Sequence, residues 1–249
     1  MNILVTNDDG IHASALVALK NELASLGRVT VVAPDRDQSA TSHSLTLHRP
    51  LRIHRHADDT FSTDGTPTDC VLIAFHGLLG AKPDLVVSGI NHGPNMGEDV
   101  FYSGTVAAAI EGSMQGVPAI AASLVTREPA DFVAPARFVR RLADELVRRG
   151  GLPGKQVLNV NLPHRPWDQI AGVRYTRLGT RAYSDTLIEK TDPRGRAYYW
   201  IGGQDPVWAS KEGTDFHAVE HGFISVTPLA LDLTDHHAMA DMEQWDLAL

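Results

Sequence analysis

The feature that most restricts the fold of this chain is a strand–helix–strand pattern within residues 3–33. The apolar run at residues 3–6 predicts a buried strand, and leucines at three- and four-residue spacing from Leu16 to Leu26 predict an amphipathic helix. The β-branched run at residues 29–33 predicts a second strand. Because parallel strands joined through a helix form right-handed crossovers in nearly all cases, this segment predicts a parallel sheet covered by helices.

The same alternation continues along the first two thirds of the chain. Thr66-Pro67-Thr68-Asp69 is typical of a helix start, with a capping residue, a proline in the first turn and an acid. Further elements are predicted in alternation, with strands at 85–88, 118–123 and 157–162 and helices at 105–115 and 134–149. We therefore expect a doubly wound α/β fold with a mostly parallel sheet.

The pattern changes after Pro163, where helices no longer separate the strands. The elements predicted here are strands at 174–178, 197–201 and 223–228, a turn at 192–196, and short helices at 214–221 and 238–249. Residues 175–204 are expected to form an antiparallel hairpin arm. Since no linker is long enough to separate two domains, we expect a single domain over residues 1–249, with a core at 1–165 and a C-terminal extension at 166–249.

Composition restricts the partners and the location. The 249 residues carry 22 basic and 30 acidic side chains, and a net charge of −8 argues against binding duplex nucleic acid through its phosphates. No apolar run approaches the ~20 residues of a membrane span. Residues 1–10 do not have the pattern of a signal peptide, and Cys70, the single cysteine, cannot form an intrachain disulfide. We expect a soluble, cytoplasmic protein that does not bind membranes.

Polar residues are concentrated at three predicted strand ends, at residues 7–10, 35–39 and 89–95. Ligands of open parallel sheets bind beyond the carboxyl ends of the strands, so these segments are expected to meet at one edge. The adjacent Asp8 and Asp9 repel each other unless a cation neutralises them. Carboxylate, hydroxyl and amide oxygens favour magnesium, manganese or calcium over zinc. The alternative is a structural loop in which Asp9 caps the next helix and Asp8 is solvated.

Two known classes with acidic residues after the first strand fit poorly. Phosphatases of the haloacid-dehalogenase type require Asp-x-Asp, whereas the two aspartates here are adjacent. Response-regulator receivers require an aspartate after the third strand and a lysine after the fifth, and this chain is about twice their size.

A third class fits nearly the whole chain. The opening MNILVTNDDG resembles that of the SurE family, which comprises metal-dependent phosphatases of nucleoside 5'-monophosphates. Further matching segments are residues 32–35, 38–40, 65–70, 87–97, 102–106, 159–163, 213–215 and 225–229. The resemblance implies a Rossmann-like core with a projecting C-terminal part, a β-hairpin and a helix, that exchanges between subunits.

The resemblance also implies a site whose residues are intact here. The metal ligands would be Asp8, Asp9, Ser39 and Asn91, holding one divalent cation per subunit, Mg or Mn. With a cation held there, we expect the phosphate to be bound by Asn95, Ser103, Gly104 and Thr105, and the catalytic residues to be Asp8, Asp9 and Asn95. Independently, a helix that opens at residues 103–105 presents free backbone amides to an anion, although a plain capping role for Ser103 is the alternative.

The expected activity is hydrolysis of nucleoside 5'-monophosphates to nucleoside and phosphate, with 3'-nucleotides open as further substrates. The alternatives are a broad phosphomonoesterase or exopolyphosphatase, and a regulatory protein that binds metal and nucleotide without turnover. A homo-oligomer, dimer or tetramer, is expected from the resemblance and from aromatic and methionine residues of the second half, which are typical of interface cores. These are Tyr183, Tyr198, Tyr199, Trp200, Met239, Met242 and Trp245.

Overall fold

A nine-stranded sheet runs through the fold in the computed structural model, which describes residues 1–154, 156–182, 187–201, 207–245 and 247. The strands in chain order are β1 (Asn2–Thr6), β2 (Arg28–Pro34), β3 (Ile53–Ala57), β4 (Thr60–Thr63), β5 (Leu85–His92), β6 (Ala119–Val125), β7 (Gln156–Pro163), β8 (Gly172–Tyr175), β9 (Arg181–Ala182), β10 (Leu187–Thr191), β11 (Ala197–Ile201), β12 (Val207–Trp208) and β13 (Phe223–Ala230). The order across the sheet is β3-β4-β2-β1-β5-β6-β7-β13-β8. The run from β4 to β7 is parallel, β3 pairs antiparallel with β4, and β13 pairs antiparallel with β7 and parallel with β8.

Helices cover both faces of this sheet. The α-helices are α1 (Ser14–Leu23), α2 (Pro67–Ile73), α3 (Gly104–Met114), α4 (Val133–Arg148), α5 (Asp215–Glu220) and α6 (His236–Met242). Residues of α1 and α4 pack in one apolar cluster and those of α2 and α3 in another. Within the described residues, none of these helices is both long and apolar enough to cross a bilayer.

Alternation along the strands supplies both clusters with apolar side chains. In β1, Ile3 and Val5 belong to the cluster of α1 and α4, whereas Leu4 between them belongs to the cluster of α2 and α3. All three side chains are buried, which explains why the strand is a continuous apolar run. The predicted doubly wound α/β fold is confirmed.

Two strands of the first half differ from the prediction. The hairpin of β3 and β4 was not predicted, because every residue of β3 is exposed and its sequence has no apolar alternation. Strand β5 continues to His92, so residues 89–92 are part of a strand and not of the predicted loop. Gly89 has φ +127°, and the pairing with β6 shifts register between Ser88 and Asn91. Asn91 is thereby placed in a strand position.

Two elements of the second half end early. Strand β8 stops at Tyr175 and does not reach the predicted residue 178, because Arg177 turns away and donates its amide to Gly213. Helix α6 was predicted over 238–249 but spans His236–Met242. Its start is set by Asp235, whose carboxylate accepts the amides of the first turn. Residues 246, 248 and 249 lie outside the described residues.

The C-terminal part both extends the main sheet and projects from it. Strand β13 lies antiparallel to β7, and β8 joins its far side. Strands β10 and β11 form a separate antiparallel pair, and the predicted turn is present, with the Gly195 amide donating to Asp192. The exposed large side chains of β11 are Tyr198, Tyr199, Trp200 and Ile201. Tyr183 and residues 202–204 lie outside the described residues.

Candidate functional site

The three polar strand ends lie side by side at one edge of the sheet. Strand β1 is the parallel neighbour of both β2 and β5, so their carboxyl ends point the same way. The loops also contact each other directly. The Gln38 amide donates to the Asp8 carbonyl at 2.8 Å, and the His92 amide donates to Asp9 Oδ2 at 3.2 Å. The structure therefore places the predicted acidic pair between the other two segments.

Asp8 is buried at the end of β1 and faces the start of α3. Its Oδ2 accepts the Thr105 amide at 3.1 Å, and its Oδ1 accepts the Thr105 hydroxyl at 2.5 Å. The close approach requires a glycine before Thr105, since a Cβ on Gly104 would lie 2.9 Å from the Asp8 Cβ. Helix α3 is thus fitted against this carboxylate.

Burial makes the two aspartates reluctant to ionise. It raises the pKa of Asp8 to about 6; the Thr105 hydrogen bond lowers this pKa and the negative charge of Asp9 raises it. Burial also raises the pKa of Asp9. The hydrogen bond from the His92 amide lowers this pKa, and the negative charge of Asp37 raises it further. A pair of neighbouring carboxylates that both favour a proton is an environment that a bound cation would stabilise.

The other two predicted metal ligands lie on the flanking segments. Ser39 is exposed, and its hydroxyl and amide both donate to Asp37 Oδ1, at 2.6 and 2.7 Å. Asn91 is half-buried, and its Nδ2 donates to the Gly93 carbonyl at 3.0 Å. Together with the two aspartates these side chains supply oxygen atoms, the chemistry that Mg²⁺ and Mn²⁺ prefer. The described part of the chain has no group of three His, Cys, Asp or Glu residues that could hold a metal, so a cation here would depend on Ser39 and Asn91 beside the two aspartates.

The residues predicted to bind phosphate lie in two places, at the start of α3 and beside strands β6 and β7. The Ser103 hydroxyl accepts the Val106 amide at 3.0 Å and so caps α3, which is the alternative role considered for it. Thr105 is engaged with Asp8 through both of its donors. Asn95 is buried nearer β6 and β7, with its Nδ2 donating to Ser123 Oγ at 2.8 Å. A role of these residues in phosphate binding stays a prediction.

Sequence reasoning missed the buried polar residues that hold the segment 93–97. Asn159 and Asn161 of β7 bond to the main chain of Asn95, and Asp215 Oδ2 accepts the Gly97 amide at 2.8 Å. A signal was present, because two asparagines at a spacing of two lie on one face of an otherwise apolar predicted strand.

Comparison with known proteins reveals similarity over the full chain. Residues 3–185 match the sequence profile of the family described as "Survival protein SurE". The chain is 53% identical over 249 residues to "5'-nucleotidase SurE" of Geobacter sulfurreducens, covering all of this chain and 95% of the relative. It is 52% identical to the protein of that name in Geotalea uraniireducens, covering 99% of this chain and all of the relative. A crystal structure of the SurE protein from Aquifex aeolicus superposes with a TM-score of 0.89 at 43% identity, covering 98% of each chain.

Proposed function

Because this chain belongs to the SurE family, we propose that it is a 5'-nucleotidase that hydrolyses nucleoside 5'-monophosphates to nucleoside and phosphate. One structural observation carries the location of the site. An acidic pair, the buried Asp8 and the half-buried Asp9, lies at the carboxyl edge of the sheet where parallel α/β folds bind their ligands. The high pKa of Asp8 supports a functional role, since such shifts cluster at active sites.

We propose that Asp8, Asp9, Ser39 and Asn91 hold one Mg²⁺ or Mn²⁺ ion. The all-oxygen donor set fits a hard divalent cation, and the unfavourable burial of two neighbouring carboxylates gives the protein a reason to bind one. When bound, such a cation supplies positive charge that offsets the charge developing on the phosphate oxygens.

The protein's own residues would orient the substrate and move the proton. Thr105 fixes the Asp8 carboxylate through two hydrogen bonds, so the acid is held in one orientation. We assign the acceptance of the proton from the attacking water to Asp8 or Asp9, the two acids of the site that burial makes more basic. Asn95 and the start of α3 at Ser103 and Gly104 would bind the remaining phosphate oxygens, and Thr105 would act there by holding Asp8.

The experiment is a phosphate-release assay with a panel of nucleoside 5'- and 3'-monophosphates and polyphosphate, at limiting Mg²⁺ or Mn²⁺. Wild type should release phosphate from 5'-monophosphates, whereas Asp8→Asn and Asp9→Asn should lose hydrolysis while remaining folded, as a cooperative melting transition shows. Asp144→Asn, on the exposed side of α4, is the matched control and should behave as wild type. Near-normal turnover in both site variants would contradict the assignment.

We further propose that the protein is a homo-oligomer, dimer or tetramer, joined through the C-terminal part. The hairpin of β10 and β11 pairs with no other strand of the described residues, and an isolated two-stranded hairpin is marginally stable in water. Its exposed aromatic side chains and the exposed side chains of α6 and the following turn would be covered by a second copy. The latter are Met239, Met242 and Trp245. Light scattering over a wide dilution range tests this, and a fully active monomer of 27.0 kDa would refute it.

A cytoplasmic location and a single domain over residues 1–249 complete the proposal. The location is supported by Cys70, the single cysteine, which is buried and unpaired. The domain organisation is supported by β8 and β13, which come from residues beyond 165 and yet lie in the same sheet as β1.

A further inference from the structure

Two fully buried asparagines on β7 are the starting observation. Asn159 and Asn161 are each 0% exposed, and their spacing of two places them on the same face of the strand. Burying an amide is costly unless it is hydrogen-bonded, so the bonds that these amides make need an explanation. Apolar residues of similar shape would fill a sheet interior at lower cost.

Both side chains bond to the main chain of Asn95. Asn161 Oδ1 accepts the Asn95 amide at 2.9 Å, and its Nδ2 donates to the Asn95 carbonyl at 3.0 Å. Asn159 Nδ2 donates to the same carbonyl at 2.8 Å. Asn95 is therefore held at its N–H by one bond and at its C=O by two, in the way a neighbouring strand would hold it.

A third residue in the same row holds the Asn95 side chain. Ser123 of β6 is opposite Asn161 in the sheet, and its hydroxyl accepts the Asn95 Nδ2 at 2.8 Å. Residues 93–96 belong to no helix or strand, so their position depends on contacts of this kind. Strands β6 and β7 thus fix both the backbone and the side chain of Asn95.

We infer that Asn159 and Asn161 are positioning residues for phosphate binding, acting through Asn95. This inference rests on the role of Asn95 in the proposed function. Removing the side-chain amide of Asn161 leaves the Asn95 N–H without its acceptor and removes one of the two hydrogen bonds to the Asn95 carbonyl. The backbone is then free to move, and a displacement of about 1 Å at a binding group can cost about a hundredfold.

The test compares the inhibition constant of inorganic phosphate, together with KM and kcat for a nucleoside 5'-monophosphate, in four single variants and one double variant. Asn161→Ala and Asn159→Ala remove the positioning amides, and Asn95→Ala removes the group that they position. Ser113→Ala is the matched control, because its hydroxyl bonds at 3.1 Å to Gln156 at the opposite end of β7. Melting curves establish that each variant is folded. If one of the two β7 variants does not fold, the other still tests the proposal.

The expected result is a rise in the phosphate inhibition constant and in KM of about ten- to a hundredfold for Asn161→Ala and a smaller rise for Asn159→Ala, with Ser113→Ala unchanged. A merely structural role would lower kcat through loss of folded enzyme and leave the inhibition constant as it was. In the Asn95→Ala background, the further change Asn161→Ala should add less than about twofold, because both act through one group.

Three outcomes would overturn the inference. If Asn95→Ala weakens phosphate binding while the folded β7 variants stay within about twofold of wild type, the positioning role is wrong and the proposed role of Asn95 survives. If Asn95→Ala itself changes neither constant, the role of Asn95 fails and the inference fails with it. An equal effect of Ser113→Ala would show general loosening of β7 instead of positioning.

Discussion

The substitution Gly104→Ala tests whether the fit of α3 against Asp8 matters for catalysis. The added Cβ would lie 2.9 Å from the Asp8 Cβ, 3.1 Å from its Oδ2 and 3.1 Å from Pro67 Cγ. Ordinary contacts begin near 3.4 Å, so the Asp8 side chain must move by about half an ångström. If a displacement of about 1 Å costs about a hundredfold in rate, this shift should lower kcat/KM about tenfold.

Stability should change much less than activity. Alanine gains up to about 1 kcal/mol over glycine in a helix, which offsets part of an overpacking cost of about 1–3 kcal/mol. We therefore expect Tm to fall by a few degrees at most. Gly77→Ala is the control, because its Cβ would meet no atom within 4 Å, and it should keep wild-type kcat/KM. Wild-type kcat/KM in Gly104→Ala, measured by phosphate release, would refute the argument.

Three further predictions concern charge, phosphate and folding. In metal-free protein the pKa of Asp8 is about 6 in place of 3.8, so between these values the native state holds a proton that the unfolded state has lost. The free energy of unfolding should therefore fall by about 3 kcal/mol between pH 3 and 7. Denaturant titrations should show this slope reduced in Asp8→Asn, and an unchanged slope would contradict the prediction. The double change of Ser103→Ala and Thr105→Ala should raise the inhibition constant of vanadate, and an unaltered constant would leave Ser103 as a simple cap. Thr66→Ala should cost about 1 kcal/mol by breaking the capping box with Asp69, seen as a lower Tm with normal kcat, whereas an unchanged Tm would show that the box contributes nothing.

Local patterns predicted most of the sheet and the position of the acidic loop. Apolar runs and leucine spacing reflect burial on the two faces of the sheet. Buried positions are occupied by apolar residue types, so each position indicates its own burial without knowledge of its distant neighbours. The capping residue Thr66 was predicted for the same reason, because its hydrogen bond is to a residue three positions away. Strand β3 lies exposed at the sheet edge, so its sequence did not need to show such a pattern.

The contacts that complete the site were not predictable in this way. Asn95 and Asn161 are 66 residues apart in sequence, and Asp215 reaches Gly97 across 118 residues. Such pairs depend on the register between strands and on where the chain returns to the sheet, which no local period encodes. The resemblance to a family indicated candidate residues, whereas the bonds that hold them came only from the structure.

The return of β13 to the far side of β7 has a consequence for folding during synthesis. Ser225 pairs with Asn161, so β7 stays an open edge until the chain has grown by more than sixty further residues. An unpaired apolar edge is a template for association with other chains, and pairing between distant segments is slow. Nascent chains that stop before Phe223 should therefore be the aggregation-prone species, and the polypeptide would need its C-terminal quarter before the asparagines of β7 are enclosed.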